Sequence, residues 1–118
     1  MISNVILIHG CNEHDEENML QYGLPPQNKR NWIAWVGMKL KDRGIKTYAP
    51  LMPKNSRPTY EDWKRVLETL PIDDHSVLIG HSAGGGFLVR WLGETGTKIK
   101  KLILVAPAIV HGGYSGFL

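Results

Sequence analysis

The fold of this chain is decided by the stretch Ser76-Val77-Leu78-Ile79-Gly80-His81-Ser82-Ala83-Gly84-Gly85-Gly86. A short apolar run leads directly into the pattern Gly-x-Ser-x-Gly, and an amphipathic segment follows at once. This order predicts a buried strand, a sharp turn and a helix, with Ser82 as a candidate nucleophile at the apex of a strained turn. Gly80 and Gly84 are expected because strand and helix pass too close together for a side chain. The simpler alternative is a glycine turn whose serine only caps the helix.

Strand and helix patterns alternate along the rest of the chain. Short apolar runs predict four strands, at residues 2–8, 45–49, 77–79 and 102–106. Apolar residues at helical spacing predict three helices, at residues 31–43, 59–70 and 82–93. Because strands and helices alternate, we expect an α/β fold in which one parallel sheet carries helices on both faces.

The position of Ser82 predicts the order of the strands. In a parallel α/β sheet, ligands bind beyond the carboxyl ends of the strands, where the strand order reverses. The loops after the first and third strands must therefore converge on Ser82, which places those two strands side by side in the order 2-1-3-4. The fourth strand then forms an edge, and its apolar run Leu102-Ile103-Leu104-Val105 invites self-association with another chain.

Two main-chain amides are candidates for an oxyanion hole, the set of donors that stabilises a tetrahedral intermediate. One is the amide of Ala83, which follows the serine at the start of a helix. The other is the amide of Cys11, in the turn after the first strand, where Gly10 allows the backbone to approach a substrate. His9 is expected to brace this turn, although His9 and Gly10 could simply end the strand.

A nucleophilic serine needs a histidine base and an acid that orients the base. His111 follows the fourth strand at the expected end of the sheet and is the candidate base, although an ordinary loop histidine is the simpler interpretation. His14 precedes the serine, His75 lies at the opposite end of the sheet, and His81 is expected to pack against the sheet. The acid that follows the serine, Glu94, stands about 18 Å along the helix and is too distant.

Two other residue types have simpler structural interpretations. Cys11 has no histidine at a recognisable spacing, so it is a turn residue rather than a nucleophile. The tryptophans fall at apolar positions of predicted helices, and we expect them to pack in the core rather than to form a substrate platform. They are Trp32, Trp35, Trp63 and Trp91.

Composition excludes several other function classes. The chain has 118 residues, 42% hydrophobic and 21% charged, which fits one globular domain. Its net charge of +3 comes from scattered cations, so we expect no nucleic-acid partner. No apolar stretch is long enough to span a membrane, no His/Cys cluster suggests a metal, and no glycine pattern suggests a nucleotide cofactor. A single cysteine excludes an internal disulfide and suits the cytoplasm.

Several motifs together resemble a known family. In chain order they are Val5-Ile6-Leu7-Ile8-His9-Gly10, Asn31-Trp32 with Trp35, Met52-Pro53, Glu61-Asp62-Trp63, Gly80-His81-Ser82-Ala83-Gly84-Gly85 and Leu104-Val105-Ala106-Pro107-Ala108. The combination is similar to the small, lidless serine hydrolases of the α/β-hydrolase superfamily, which include the retinoblastoma-binding serine hydrolase and its bacterial esterase-like relatives. The resemblance covers nearly the whole chain.

The resemblance implies that residues 1–118 form a single α/β-hydrolase domain that attacks small-molecule esters or similar acyl substrates through Ser82. Members of this family continue through further strands and helices that carry the catalytic Asp and then His, and nothing here matches those positions. We therefore expect the domain to be incomplete at its C-terminus, by about 60 to 80 residues. The 118-residue chain alone is expected to be inactive or weakly active. The alternative is a binding protein that keeps the fold and lacks a base.

Overall fold

A computed structural model of the chain describes residues 1–10, 32–53 and 58–108. Strands and helices alternate within these ranges, as predicted. The elements are β1 (Asn4–Ile8), α1 (Trp32–Asp42), β2 (Thr47–Tyr48), α2 (Tyr60–Leu67), β3 (Ser76–His81), α3 (Ala83–Thr95) and β4 (Lys101–Val105). No helix in these three ranges is long and apolar enough to cross a membrane.

The four strands form one parallel sheet in the order β2-β1-β3-β4, which confirms the predicted order. The central pair is β1 and β3, whose register places Ile8 opposite Gly80. The carboxyl ends of these two strands therefore lie side by side. The turn after β1 and the turn after β3 consequently emerge at the same edge of the sheet.

Helices cover both faces of this sheet. Side chains alternate along each strand, so neighbouring residues point to opposite faces. Ile6 and Leu78 belong to the larger core cluster, which packs against α2 and α3. Leu7 and Val77 belong to the smaller cluster, which packs against α1. Both faces of β1 are buried, which explains why its sequence is continuously apolar rather than alternating.

The helix ends follow from local chemistry. Thr59 caps α2, and its hydroxyl accepts a hydrogen bond from the Asp62 amide at 3.3 Å. Gly96 ends α3 in the left-handed conformation, with φ of 66°, and its amide donates to the Leu92 carbonyl at 2.9 Å. Gly44 adopts φ of 77° just after α1. These ends set the lengths of the helices that flank the sheet.

The second strand is shorter than predicted, with two residues in place of five. Ile45 belongs instead to the turn that ends α1, because its amide donates to the Leu40 carbonyl at 3.0 Å. Pro50 follows the strand and has no amide hydrogen for a ladder. The sheet edge at β2 is therefore short, whereas the opposite edge, β4, has five residues.

The outer strand β4 exposes apolar side chains on the face that carries α1. Ile103 is 39% exposed and Val105 is 37% exposed. Their partners across the sheet are Ile79 and His81 of β3. This exposure matches the predicted apolar edge, while self-association through it remains a prediction.

The tryptophan prediction is wrong for Trp35. This side chain is 47% exposed, and the Lys39 Nζ lies over its ring, 5.5 Å from the ring centre. The buried residues of α1 are Ile33 and Gly37, four positions apart on one stripe, and Trp35 lies midway between them in sequence and so on the opposite side. By contrast, Trp63 and Trp91 are buried in the core as predicted.

Candidate active site

Ser82 lies between the end of β3 and the start of α3, in a strained backbone conformation. Its φ is 52° and its ψ is −120°, a region that residues with a side chain rarely occupy. A residue in such a region costs the folded state about 1–3 kcal/mol of free energy. The conformation persists only where the surrounding structure enforces it. The predicted sharp turn is therefore present, with the serine at its apex.

Main-chain hydrogen bonds hold Ser82 in this conformation from both sides. Its amide donates to the Val105 carbonyl at 3.1 Å. Its carbonyl accepts from the amides of Gly85 at 3.0 Å, Gly86 at 3.3 Å and Ala108 at 2.8 Å. The strand β4 and the first turn of α3 together determine the backbone of the serine.

Within the described residues, the hydroxyl of Ser82 makes no hydrogen bond that supports the fold. It makes no capping bond to α3, and no described side chain is hydrogen-bonded to it. A serine at the start of a helix normally caps that helix. The alternative in which Ser82 is only a helix cap is therefore wrong.

Glycines at positions 80 and 84 allow the strand and the helix to approach. A Cβ atom on Gly80 would lie 2.6 Å from the Gly85 Cα. A Cβ atom on Gly84 would overlap the main-chain carbonyls of Ile8 and His9. Neither neighbour is a flexible side chain, so both positions require glycine for the packing of the turn.

The turn after β1 lies directly against Ser82. A Cβ atom on Gly10 would stand 3.0 Å from the Ser82 Cβ and 3.6 Å from its Oγ. The close approach expected from Gly10 is thus present, and it places main chain beside the hydroxyl. The next residue, Cys11, and its amide lie outside the described residues.

The amide of Ala83 occupies the first position of α3. Ala83 is buried, and no acceptor in the described part of the chain is bonded to its amide. The first amides of a helix lack internal partners and carry the positive end of the helix dipole. A negatively charged oxygen beside Ser82 would find a donor and a favourable field here.

His9 is buried, and both of its ring nitrogens are bonded to main chain. Its Nε2 accepts from the Met52 amide at 2.9 Å. Its Nδ1 lies 2.7 Å from the Gly10 carbonyl oxygen. An amide can only donate, so the ring proton resides on Nδ1, which donates to Gly10. With its Nε2 lone pair engaged, His9 is not available as the base for Ser82.

A group of contacts around His9 was missed at the sequence level. The rings of Trp63 and His9 pack in a T-shaped arrangement with their centres 5.6 Å apart, and the Trp63 Nε1 donates to the Pro53 carbonyl at 2.8 Å. Met52 and Pro53 thus join the turn after β1 to α2. The available signal was the indole N–H, since a buried tryptophan needs an acceptor.

The structure separates the remaining described histidines from Ser82. His81 points to the α1 face, where its ring meets Trp32 edge-on at 5.3 Å, as expected for a packing residue. His75 lies just before β3, at the opposite end of the strand from Ser82, and its Nδ1 lies 2.7 Å from Asp74. The candidate base His111, like His14, lies outside the described residues.

Glu94 is engaged at the far end of α3. The Arg90 guanidinium donates to its carboxylate at 2.9 Å and lowers the pKa of Glu94. Burial raises the pKa of Tyr60 to about 12, and the nearby Glu94 carboxylate contributes to that increase. The Tyr60 hydroxyl is buried and has no hydrogen-bond partner among the described residues. Arg90 also stacks on the Tyr60 ring at 3.8 Å. Glu94 therefore belongs to the packing of α2 against α3.

One group of described residues has the donor types of a metal site. Asp73, Asp74 and His75 place their ligand atoms within 4.8 Å of one another. All three side chains are exposed, and each makes a hydrogen bond or ion pair with a neighbouring side chain. For example, the Ser3 hydroxyl donates to the Asp73 carboxylate at 2.6 Å. They lie at the amino end of β3, remote from Ser82, and take no part in the site.

Comparison with known proteins places this geometry in context. A family model described as serine hydrolase matches residues 19–114. Among solved structures, the fold is similar to that of the ydeN gene product from B. subtilis, with a TM-score of 0.63 and 22% identity over 86% of this chain and 50% of that one. No curated protein matches the sequence significantly.

Two solved structures of pyrethroid hydrolases have a similar fold. PytH gives a TM-score of 0.56 and 23% identity over 91% of this chain and 41% of its own. A pyrethroid hydrolase from Sphingobium faniae JZ-2 gives 0.54 and 20% over 91% of this chain and 40% of its own. At these identities the likeness is one of fold, and this chain spans half or less of the length of the structures it matches.

Proposed function

This chain belongs to the serine hydrolase family, and from that premise we propose that Ser82 is the nucleophile of a hydrolase acting on carboxylic esters or similar acyl compounds. The observation that carries the proposal is the unused hydroxyl of a strained serine. The fold holds Ser82 at a φ of 52°, and no described residue is hydrogen-bonded to its hydroxyl. Strain of this kind is characteristic of functional sites.

The proposed reaction begins when the Ser82 Oγ attacks the carbonyl carbon of the substrate. The carbonyl oxygen becomes an oxyanion, which the amide of Ala83 stabilises at the start of α3. The second donor is the Cys11 amide, next in sequence to the Gly10 that contacts Ser82. Collapse of the tetrahedral intermediate expels the alcohol, which leaves with the proton that the base removed from Oγ, and gives an acyl-serine that water then hydrolyses.

The base is the open part of this proposal. Of the described histidines, His9 is bonded to main chain and His81 packs on Trp32. These engagements favour the second candidate function, a binding protein that keeps the fold without catalysis. We retain the hydrolase, because a binding protein has no need of a strained serine with an unused hydroxyl.

Labelling with a fluorophosphonate tests the nucleophile. The probe forms a covalent bond with an activated serine, so mass spectrometry should find the adduct on the peptide that contains Ser82. Ser82→Ala should abolish this adduct, and Ser76→Ala should retain it, since Ser76 is buried at the other end of β3. An adduct of equal yield in Ser82→Ala, or no adduct in the wild type even with imidazole added as a base, would contradict the proposal.

Added imidazole tests where the base comes from. If the base is absent from residues 1–118, imidazole should accelerate labelling of Ser82, because it supplies the missing proton acceptor. His111→Ala should then leave the rate unchanged. If His111 is the base, its alanine variant should label more slowly than the wild type, and imidazole should restore the lost rate.

A further inference from the structure

We propose that His9 is a positioning residue, whose fixed Nδ1–H tautomer holds the turn after β1 in place beside Ser82. We call the pair of hydrogen bonds from its ring to Gly10 and Met52 the His9 bridge. The inference rests on the proposed function, since the position of this turn matters to catalysis only if Ser82 reacts.

The His9 bridge requires one protonation state of the ring. The Met52 amide occupies Nε2 as a donor at 2.9 Å, and the Gly10 carbonyl occupies Nδ1 as an acceptor at 2.7 Å. In the opposite tautomer, the Nε2–H would face the N–H of Met52, and the lone pair of Nδ1 would face the carbonyl oxygen of Gly10, so neither pair could form a hydrogen bond. Only the Nδ1–H tautomer satisfies both buried partners.

Packing keeps the ring from turning. His9 is 5% exposed, and the ring of Trp63 packs against it. Trp63 is itself fixed by its hydrogen bond to the Pro53 carbonyl at 2.8 Å. The segment after β2 is therefore bonded twice, once to His9 through Met52 and once to α2 through Pro53.

The His9 bridge acts on the site through the main chain. The Gly10 carbonyl and the amide nitrogen of the next residue belong to one planar peptide unit. A hydrogen bond that holds the carbonyl therefore also restricts rotation of the amide that we propose as an oxyanion donor. The space beside Gly10 is so tight that a Cβ atom added there would stand 3.0 Å from the Ser82 Cβ, so a small rotation of this peptide changes the geometry of the site.

Simple packing does not explain this arrangement. A phenylalanine ring would fill nearly the same space and contact Trp63 in the same way. It would leave the Met52 amide and the Gly10 carbonyl without the partners that His9 provides. The two ring nitrogens are thus used to tie two separate turns together, and one of these turns contacts the serine.

Two substitutions separate the bonds of the His9 bridge. His9→Asn keeps a donor near the Nδ1 position for the Gly10 carbonyl and loses the acceptor for Met52. His9→Phe loses both bonds. The rate of fluorophosphonate addition to Ser82, at fixed imidazole and corrected for the folded fraction, should fall about tenfold in His9→Phe, less than for complete loss of an oxyanion donor. His9→Asn should stay within about threefold of the wild type because the Gly10 bond is retained.

Ser76→Ala is the matched control, since it breaks a buried hydrogen bond at the amino end of the same sheet. It should destabilise the fold and leave the corrected rate unchanged. If His9→Phe reacts as fast as Ser76→Ala, His9 has only a structural role and the proposal is overturned.

Nitrogen NMR of the imidazole ring tests the His9 bridge independently of activity. The wild type should show a protonated Nδ1 and an unprotonated Nε2 for His9 at neutral pH. A protonated Nε2, or rapid exchange between tautomers, would overturn the proposal even if His9→Phe fails to fold. Absence of any Ser82 adduct in the wild type would instead contradict the proposed function and the positioning role, while the NMR result would still decide whether the bridge exists.

Discussion

The two ends of the β1–β3 pair are built on opposite principles. At the amino end, Asn4 lies opposite Ser76, and the Ser76 hydroxyl donates to the side-chain Oδ1 of Asn4 at 2.6 Å. At the carboxyl end, Ile8 lies opposite Gly80, and the strand leads into the strained Ser82. At the amino end the facing side chains of Asn4 and Ser76 are hydrogen-bonded to each other. At the carboxyl end no described residue is hydrogen-bonded to the Ser82 hydroxyl.

The serines that flank β3 make the difference concrete. Ser76 is fully buried, and its hydroxyl also accepts from the Asp73 amide at 2.9 Å. Ser82 has no hydrogen bond to its side chain from the described residues. The same residue type is thus used for stability at one end of the strand and is left available for chemistry at the other.

The largest expected effect comes from filling the glycine contact at the carboxyl end. Gly84→Ala should destabilise the protein by about 3 kcal/mol or more, because the added methyl meets the main-chain carbonyls of Ile8 and His9, which cannot turn aside. Urea unfolding followed by circular dichroism would measure the change in the free energy of unfolding.

Gly93→Ala is the control in the same helix. Nothing lies within 4 Å of the position that its Cβ would take. Alanine is the better helix former, so this variant should gain about 0.5–1 kcal/mol of stability. Equal effects at the two positions would show that the close approach at Gly84 is not what restricts the turn.

A smaller loss is expected at the amino end. Ser76→Ala should cost about 2 kcal/mol, because it leaves the buried side-chain Oδ1 of Asn4 without this donor. The same urea experiment measures this loss. If Ser76→Ala also slowed labelling of the folded protein, the two ends of the sheet would be coupled. The distinction between a structural end and a reactive end would then be wrong.

Apart from the Gly93 control, the smallest effect is expected at the nucleophile, and it is a gain in stability rather than a loss. Ser82→Gly should stabilise the protein by about 1 kcal/mol, since glycine adopts the φ of 52° without steric strain and part of the gain is offset by its greater freedom when unfolded. Ser82→Ala keeps the Cβ and should show no such gain. Equal stabilities for the two variants would indicate that the conformation of Ser82 carries no strain.

The sequence predicts the elements whose signals are local. The apolar run before Gly80 and the amphipathic segment after Ser82 identify the turn, and the convergence argument orders the strands. Predictions that depend on tertiary neighbours fare less well. The exposure of Trp35 depends on which side of α1 faces the sheet, and the apolar residues of the helix indicate that side only approximately. The partners of His9 come from residue 52, distant in sequence, so no local pattern reveals them.

The hydrogen bond from the Ser82 amide to Val105 has a consequence for how long the site keeps its shape. Edge strands detach from a sheet more readily than central ones, through brief local openings. Each opening of β4 would release the Ser82 amide from Val105, and the backbone of the serine could relax. In the sheet that the described residues form, the lifetime of the reactive geometry is then set by the outer strand β4 rather than by the core. Amide exchange at Ser82 would report that lifetime directly.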